Sequence, residues 1–397
     1  MRIAVLWATI AVCLALIVFA WNTGDSSLSR YGGIGTTDFI QYWSAHKLAA
    51  RGENFYDPQL LYAIEAAQGL QGEIPILMWN PPWLLALMYP VLQFDFLTSA
   101  AIWALINLAF MVGSGLLFVS AYRGRLMMSP AILVSMFLYV PHISTLWFGQ
   151  LGLLYCMGIS LFLFAVRHED DRLTALALIP LTVKPHLVYL VLILLGYWIV
   201  VQRKWRLVAT FTVFFGALVT ATQLLYPRAL GYWVAAFGRP PTYWKVGTLV
   251  GMSREVIYLL TDQVVDWPIV IIPAMSAASL LAWLWFRRPQ PDLLENLPWL
   301  LGLSLFTSPY GWLFDQSQLV VVQVGLVALA DRSSCPLETR HHVWMVLVAV
   351  QLLITLQQIV GFSSHHHFFW TSLAAGLVWI YCRRLPGMRA TPIAASE

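Results

Sequence analysis

Uncharged, largely apolar runs recur along this chain at 3–21, 97–121, 130–148, 151–166, 207–226, 267–286, 343–360 and 367–382. Each is near the roughly 20 residues that a helix needs to cross the hydrocarbon core of a bilayer, where every backbone polar group must be satisfied within the segment itself. The expected fold is therefore an all-α polytopic membrane protein. Composition agrees: of 397 residues, 59% are hydrophobic and 11% charged, with a mean hydropathy of +0.71. That excludes a soluble globular domain, disorder, collagen and coiled coil. The 19 Trp, 16 Tyr and 21 Phe exceed what lipid-facing helices use, and point to interfacial belts and aromatic-lined cavities.

Shorter apolar pieces at 82–94, 173–183, 187–201, 297–307 and 318–330 are interrupted by Pro, Lys or Asp. Arginine and lysine set the sidedness, because Arg123/Arg125, Arg167/Arg172, Arg203/Lys204/Arg206, Arg287/Arg288, Arg332/Arg340 and Arg383/Arg384/Arg389 recur after every second crossing. Those turns are expected in the cytoplasm, with both termini. The arrangement closes most simply with about 12 transmembrane helices, 10 or 11 being alternatives, and with a half-helix or re-entrant element at 82–94, where Pro81, Pro82 and Pro90 fall. Arg2 precedes the first run and no small-residue cleavage site follows it, so a retained helix is expected there.

Residues 1–390 read as one transmembrane domain, with 391–397 a cytoplasmic tail. Its first extracytoplasmic loop, 22–80, divides into two short helices. Thr36 or Thr37 can cap a run from Asp38 to Ala50 stopped by Gly52, and Asp57-Pro58 opens a second run stopped by Gly69. Phe39, Tyr42, Trp43 and His46 share one face of the first, which is expected to lie on the membrane surface. A second extracytoplasmic segment, 227–266, carries Arg228, Arg239, Lys245 and Arg254.

Few residues outside the apolar runs carry chemistry. Asp38, in Thr-Thr-Asp-Phe-Ile-Gln-Tyr-Trp, can take a proton from a sugar hydroxyl as general base, or merely complement the positive end of its own helix. Asp315 lies where two short apolar pieces meet, so the backbone is expected to break there; it serves a ligand or caps the second half-helix. Lys184 and His186 interrupt an apolar run in Thr-Val-Lys-Pro-His-Leu, and a phosphate at the membrane face would suit them; the alternative is a lysine that snorkels to headgroups. Arg239 and Arg254 are further phosphate candidates, and Gln150 can hydrogen-bond a hydroxylated ligand or cap a turn. His365, His366 and His367 are consecutive, so they cannot all face one ion, and no metal is expected. The cysteines Cys13, Cys156, Cys335 and Cys382 form no CxxC, and no basic cluster with interleaved aromatics marks a nucleic-acid partner. P-loop, GxGxxG, GxSxG and HExxH motifs are absent at plausible positions, as is a DxD pair for a nucleotide-sugar metal. An outward-facing enzyme without nucleotide machinery needs a lipid-borne donor.

Asp38-Phe39-Ile40-Gln41-Tyr42-Trp43, Gly52 with Phe55-Tyr56-Asp57-Pro58, Trp79-Asn80-Pro81-Pro82, Gly149-Gln150, Lys184-Pro185 and Ser308-Pro309-Tyr310-Gly311-Trp312 occur in an order that resembles glycosyltransferase family 87. These are membrane enzymes of the GT-C superfamily that use polyprenyl-phosphate sugars. The resemblance implies a GT-C-type bundle in a bacterial plasma membrane, with the active site on its outer face. It implies inverting transfer of a hexose, usually mannose, from polyprenyl phosphate to a glycolipid or glycan acceptor, without a cofactor or metal. On it, Asp38 is the base and Lys184 contacts the donor phosphate; beside it, His186, Arg239 and Arg254 are candidates for the same phosphate, and Tyr42, Gln150, Trp312 and Asp315 for sugar or acceptor. Some relatives have a histidine after the Ser-Pro-x-x-Trp element, where Phe314 and Asp315 stand here. A secondary transporter, with Asp38, Lys184 and Asp315 in broken helices, is the alternative class, though the two halves show no repeat. A polysaccharide ligase or scaffold without chemistry is a third.

Overall fold

The computed structural model describes residues 35, 37–70, 74–124, 126–237, 244–289, 292–332, 334–360 and 365–388. The expected first span at 3–21, Arg239 and the tail at 391–397 lie outside the described residues. Among the described residues every regular element is a helix.

Two short helices open the fold where the local signals place them. α1 spans Phe39–Ala50, and α2 spans Pro58–Ala67 after Asp57, whose Oδ1 accepts the N–H groups of Gln59 and Leu60 at 2.9 and 3.3 Å. The expectation that α1 lies on the membrane surface is corrected. Beyond Phe39, Tyr42, Trp43 and His46, the residues Ile40, Gln41, Ser44, Ala45, Leu48 and Ala49 are buried as well. A helix covered on nearly all sides belongs to the core, and α1 is enclosed by α2, α3 (Trp83–Leu92) and α4 (Phe96–Arg123). Polar groups tie it in place: Trp43 Nε1 donates to the Phe94 carbonyl at 3.0 Å, and His46 Nδ1 lies 2.7 Å from the Tyr226 hydroxyl.

The run at 130–148 is not one straight helix. α5 (Pro130–Phe137) and α6 (Val140–Phe148) meet at 54°. Pro141 contributes no N–H to the ladder, and Tyr139 before α6 is extended at φ −70° and ψ 112°. α7 (Gly152–Arg167) and α8 (Asp171–Ala177) follow, then two 3₁₀ turns, Pro180–Val183 and Pro185–Leu187, on either side of Lys184. α9 (Tyr189–Gln202) and α10 (Trp205–Leu225) lead to two helices of the expected second outer segment, α11 (Ala229–Phe237) and α12 (Leu249–Thr261). α13 (Trp267–Arg287) and α14 (Leu293–Thr307) precede a break and a 3₁₀ turn, Leu313–Leu319. α15 (Val320–Ala330), α16 (Leu337–Ile359) and α17 (Phe369–Cys382) complete the chain.

Among the described residues five helices are long and apolar enough to cross a membrane, or six if α5 and α6 form one broken span. α3, α7, α9 and α14 are apolar but have only 10 to 16 residues. At 1.5 Å per residue none spans about 30 Å alone. The largest packing faces set α4 against α7 and α14 against α17, and the 3₁₀ turn at Leu313–Leu319 wedges between α6 and α7.

That wedge and the turn at Gly149 position the site. Gly149 has φ +69°, and its carbonyl accepts the Trp103 indole N–H at 3.0 Å. Beside it Gly35 N–H donates to the Trp147 carbonyl and Asp38 N–H to the Phe148 carbonyl, both at 2.8 Å, so the approach to α1 is clamped onto the end of α6. A Cβ at Gly149 would collide with the Gly35 carbonyl and with Phe39 Cβ. Replacing Gly149 with Ala therefore combines left-handed strain of about 1–3 kcal/mol with a backbone clash. Its thermal midpoint in detergent should fall well below wild type, whereas Gly196→Ala, with open space around it, should leave the midpoint unchanged or raised. Equal midpoints for the two would refute the clamp.

Candidate active site

Asp38 ends the turn before α1, yet its side chain makes no cap hydrogen bond to that helix. Its Oδ2 instead accepts from Gln150 Nε2 at 2.7 Å, and Gln150 Oε1 accepts from the Tyr42 hydroxyl at 2.9 Å. The amide reads in one sense only, since Tyr42 must donate and the carboxylate must accept. Gln150 and Tyr42 are buried and Asp38 is half-buried. Asp38 Oδ1 has no hydrogen-bond donor among the described residues. Burial is the main reason that the Asp38 carboxyl is pushed up to about 6; the Gln150 bond and the Lys184 charge pull it down, and the Asp315 charge pushes it up.

The second pole is built at two backbone breaks. Lys184 sits between the two 3₁₀ turns with φ −136° and ψ 67°, and its Nζ donates to Asp315 Oδ1 at 2.8 Å. Asp315 is fully buried and Lys184 nearly so. The other Asp315 oxygen accepts the Trp312 backbone N–H at 3.1 Å, so Asp315 caps the 3₁₀ turn and also pairs with Lys184. Nζ also lies over the faces of Trp312 and Phe314, 5.6 and 5.3 Å from the ring centroids. An ammonium has three N–H bonds and Asp315 takes one, so two can serve a ligand. The anion that Lys184 needs is thus supplied from within the chain, not from headgroups.

Aromatic rings wall this pole. Trp244 packs edge-on against Trp79, Tyr310 and Trp312, and Phe314 stacks on Trp312. Phe148 and His365 close the other side of Phe314. His186 meets Tyr310 at 6.3 Å, and both His186 Nε2 and the Tyr310 hydroxyl are buried without a hydrogen-bond partner among the described residues. Arg254 on α12 is nine-tenths buried, donates to the Val265 carbonyl and to Asp266, and its charge acts on Tyr310.

Of the residues singled out in the sequence, Asp38, Tyr42 and Gln150 form one network, and Lys184, Asp315 and Trp312 another. The two act on each other through the Lys184 and Asp315 charges. His186 and Arg254 flank Tyr310, beside the second network. Trp244 and Phe148 were not singled out in the sequence, and Tyr310 entered only within the Ser308–Trp312 element; an aromatic next to a candidate lysine or Gly-Gln turn was the available signal, and in a chain with 56 aromatic rings of the Phe, Tyr and Trp kinds it does not discriminate.

The fold thus combines membrane-length helices with a carboxylate network and a buried, aromatic-walled lysine. The model of glycosyltransferase family 87 matches residues 79–309, more than half of the chain, and the protein belongs to that family. It is a membrane glycosyltransferase on that ground. The match contains Gln150 and Lys184, starts after Asp38 and stops before Trp312 and Asp315. No curated protein and no solved structure matches the chain.

Breaking a buried ion pair strands the remaining charge, at about 3–5 kcal/mol. Lys184→Met and Asp315→Asn should each lower the thermal midpoint in detergent more than the double variant does. Additive losses in the double variant would show that the pair is not coupled.

Proposed function

We propose that this enzyme transfers a hexose, mannose first among the candidates, from a polyprenyl-phosphate donor to a glycolipid or glycan acceptor, with inversion, at the extracytoplasmic face of a bacterial plasma membrane. The single observation that supports the reading is that the carboxylate of the Asp38–Gln150–Tyr42 network lies within range of the charges of the Lys184–Asp315 pair. The full assembly in this reading is a GT-C-type bundle of about 12 crossings with both termini cytoplasmic. Its partners are the two substrates and the surrounding lipid, and no cofactor is assigned.

In this mechanism Asp38 Oδ1, the oxygen that Gln150 leaves open, accepts the proton of the attacking acceptor hydroxyl. The acceptor oxygen forms a bond to the anomeric carbon as the bond from that carbon to the phosphate oxygen breaks, and one displacement inverts the centre. Polyprenyl phosphate leaves with the bonding pair. The added negative charge falls to Lys184, with His186 Nε2 and Arg254 as further donors and Arg239 reserved for the same role. Tyr42 and Gln150 orient the base, and Trp312 offers a ring face to the hexose. Asp315 holds Lys184 extended and in place, so that a phosphate meets a positioned cation.

Vesicles containing the protein and radiolabelled polyprenyl-phosphate-mannose test this. Wild type should move label off the carrier, and Asp38→Asn should do so at least about 100-fold more slowly. Retained transfer in that variant removes Asp38 as the base. Asp38 must be ionised to accept a proton, so the wild-type rate should fall as pH drops below about 6. Gln150→Leu deletes a bond that lowers the Asp38 value, and should move this acid limb to higher pH. An ionised Asp38 is a burden on the fold once pH exceeds its raised value, so Asp38→Asn should melt no lower than wild type above neutrality. An unshifted limb in Gln150→Leu would show that another group sets it.

A further inference from the structure

Glycosyl transfer leaves unused a group of arginines at the far end of the bundle. α4 starts at Phe96, whose ring stacks on Phe39 next to Asp38, and at 1.5 Å per residue its 28 residues carry the chain about 40 Å away to Arg123. α7 starts just after Gln150, and α15 follows the turn that holds Asp315; their far ends lead to Arg167 and Arg332. There the side chains converge on the end of α4. Arg167 Nη1 donates to the Ala121 carbonyl at 2.7 Å, Arg332 Nη2 donates to the Tyr122 carbonyl at 2.6 Å, and Arg123 Nη1 lies 3.7 Å from Asp331. Arg340 joins them, its Nη2 donating to the Arg332 carbonyl at 2.7 Å. Arg383 lies over the ring of Trp379, which packs on Tyr122, and donates to Glu295 through Nε and Nη2.

Capping accounts for part of this, because cations suit the carbonyls at the end of a helix. It uses one N–H of Arg167 and one of Arg332, however, and a guanidinium carries five. The nearby carboxylates are few: Asp331 and Glu295 are paired as above, and Asp292 caps α14 through the Glu295 N–H at 3.1 Å. Nη1 of Arg383, on a side chain more than nine-tenths buried, has no acceptor among the described residues. Burial lowers the pKa of Arg332, and the charges of Arg383, Arg167 and Arg123 lower it further, so positive charge accumulates here uncancelled. A ligand can reach it, since the Arg123 and Asp331 side chains keep 24% and 31% of their exposure. Exposed apolar side chains stand beside the cluster, with Leu126 and Met127 just past α4 and Leu337 at the start of α16. A small free anion has no use for such a border, whereas an anion with acyl chains does. We propose that this cluster binds the phosphate of an anionic phospholipid, such as phosphatidylglycerol, in the leaflet opposite the Asp38 site. The headgroup then ties together the ends of α4, α7 and α15.

The test titrates radiolabelled phosphatidylglycerol into the full-length protein in a neutral detergent, and reads the thermal midpoint and the lipid retained after gel filtration. Phosphatidylglycerol should raise the midpoint by several degrees and stay bound, whereas phosphatidylcholine at the same mole fraction should do neither. Arg123→Gln and Arg332→Gln should each weaken retention at least about tenfold, because a charged fork to the phosphate is lost. Should Arg332→Gln fail to fold, Arg123→Gln decides alone, since Arg123 caps no carbonyl through its side chain among the described residues. Exposed Arg287 at the end of α13 is the control, and Arg287→Gln should bind as wild type does. An equal loss in Arg287→Gln would reduce the effect to general attraction between lipid and a basic surface, and overturns the site. So does wild-type retention in Arg123→Gln, or a midpoint that phosphatidylglycerol leaves unmoved. Glycerol phosphate, which has a phosphate and no acyl chains, should give no shift at equal concentration; a full shift with it overturns the lipid as occupant.

Discussion

The contact between Lys184 and Asp315 is the constraint around which the rest of the site is arranged. Two charges removed from water are tolerated only when each meets the other and the remaining valences are filled. Asp315 meets the condition fully, with Lys184 on one oxygen and the Trp312 N–H on the other. Lys184 does not, since its partner uses one of three N–H bonds and ring faces cover part of the rest. Lys184 is therefore held in place by one acceptor while keeping donor capacity that a ligand can use.

Backbone irregularity is what allows the pair to exist. Neither residue sits inside a regular α-helix: Lys184 separates two 3₁₀ turns, and Asp315 lies in a third. Frayed backbone at membrane depth needs partners. Thr145 and Ser317 supply them, their hydroxyls 2.7 Å apart, with Thr145 donating to the Phe314 carbonyl and Ser317 to the Pro141 carbonyl. The bend between α5 and α6 belongs to the same arrangement, because Pro141 opens α6 at the bend and its carbonyl is the one that accepts the Ser317 hydroxyl. Gly149, at the far end of α6, then hands the chain to Gln150 and receives the approach to Asp38.

Much of this was legible in local sequence. The Asp57-Pro58 start of α2 and the breaks at Lys184 and Asp315 follow from residue types whose local preferences are strong, or whose cost in an apolar run is high. The surface position expected for α1 failed for an instructive reason. Phe39, Tyr42, Trp43 and His46 do form an aromatic face, but the small and apolar residues on the other side pack too, and a single sequence does not reveal how many neighbours surround a helix. The number of crossings was hard to read for a related reason: pieces of 10 to 16 residues become spans or half-spans according to what covers their ends.

Composition and charge spacing, by themselves, determined a helical membrane protein with a polar first loop and a handful of intramembrane polar residues, because lipid penalises every unpaired backbone group and every unpaired charge. Partnership was decided in three dimensions. Lys184 and Asp315 are 131 positions apart, and Asp38 and Gln150 are 112 apart. No periodicity or propensity acts over such distances; only the packing of α1 beneath α2 and α3, and of the 3₁₀ turn between α6 and α7, carries those side chains to one another.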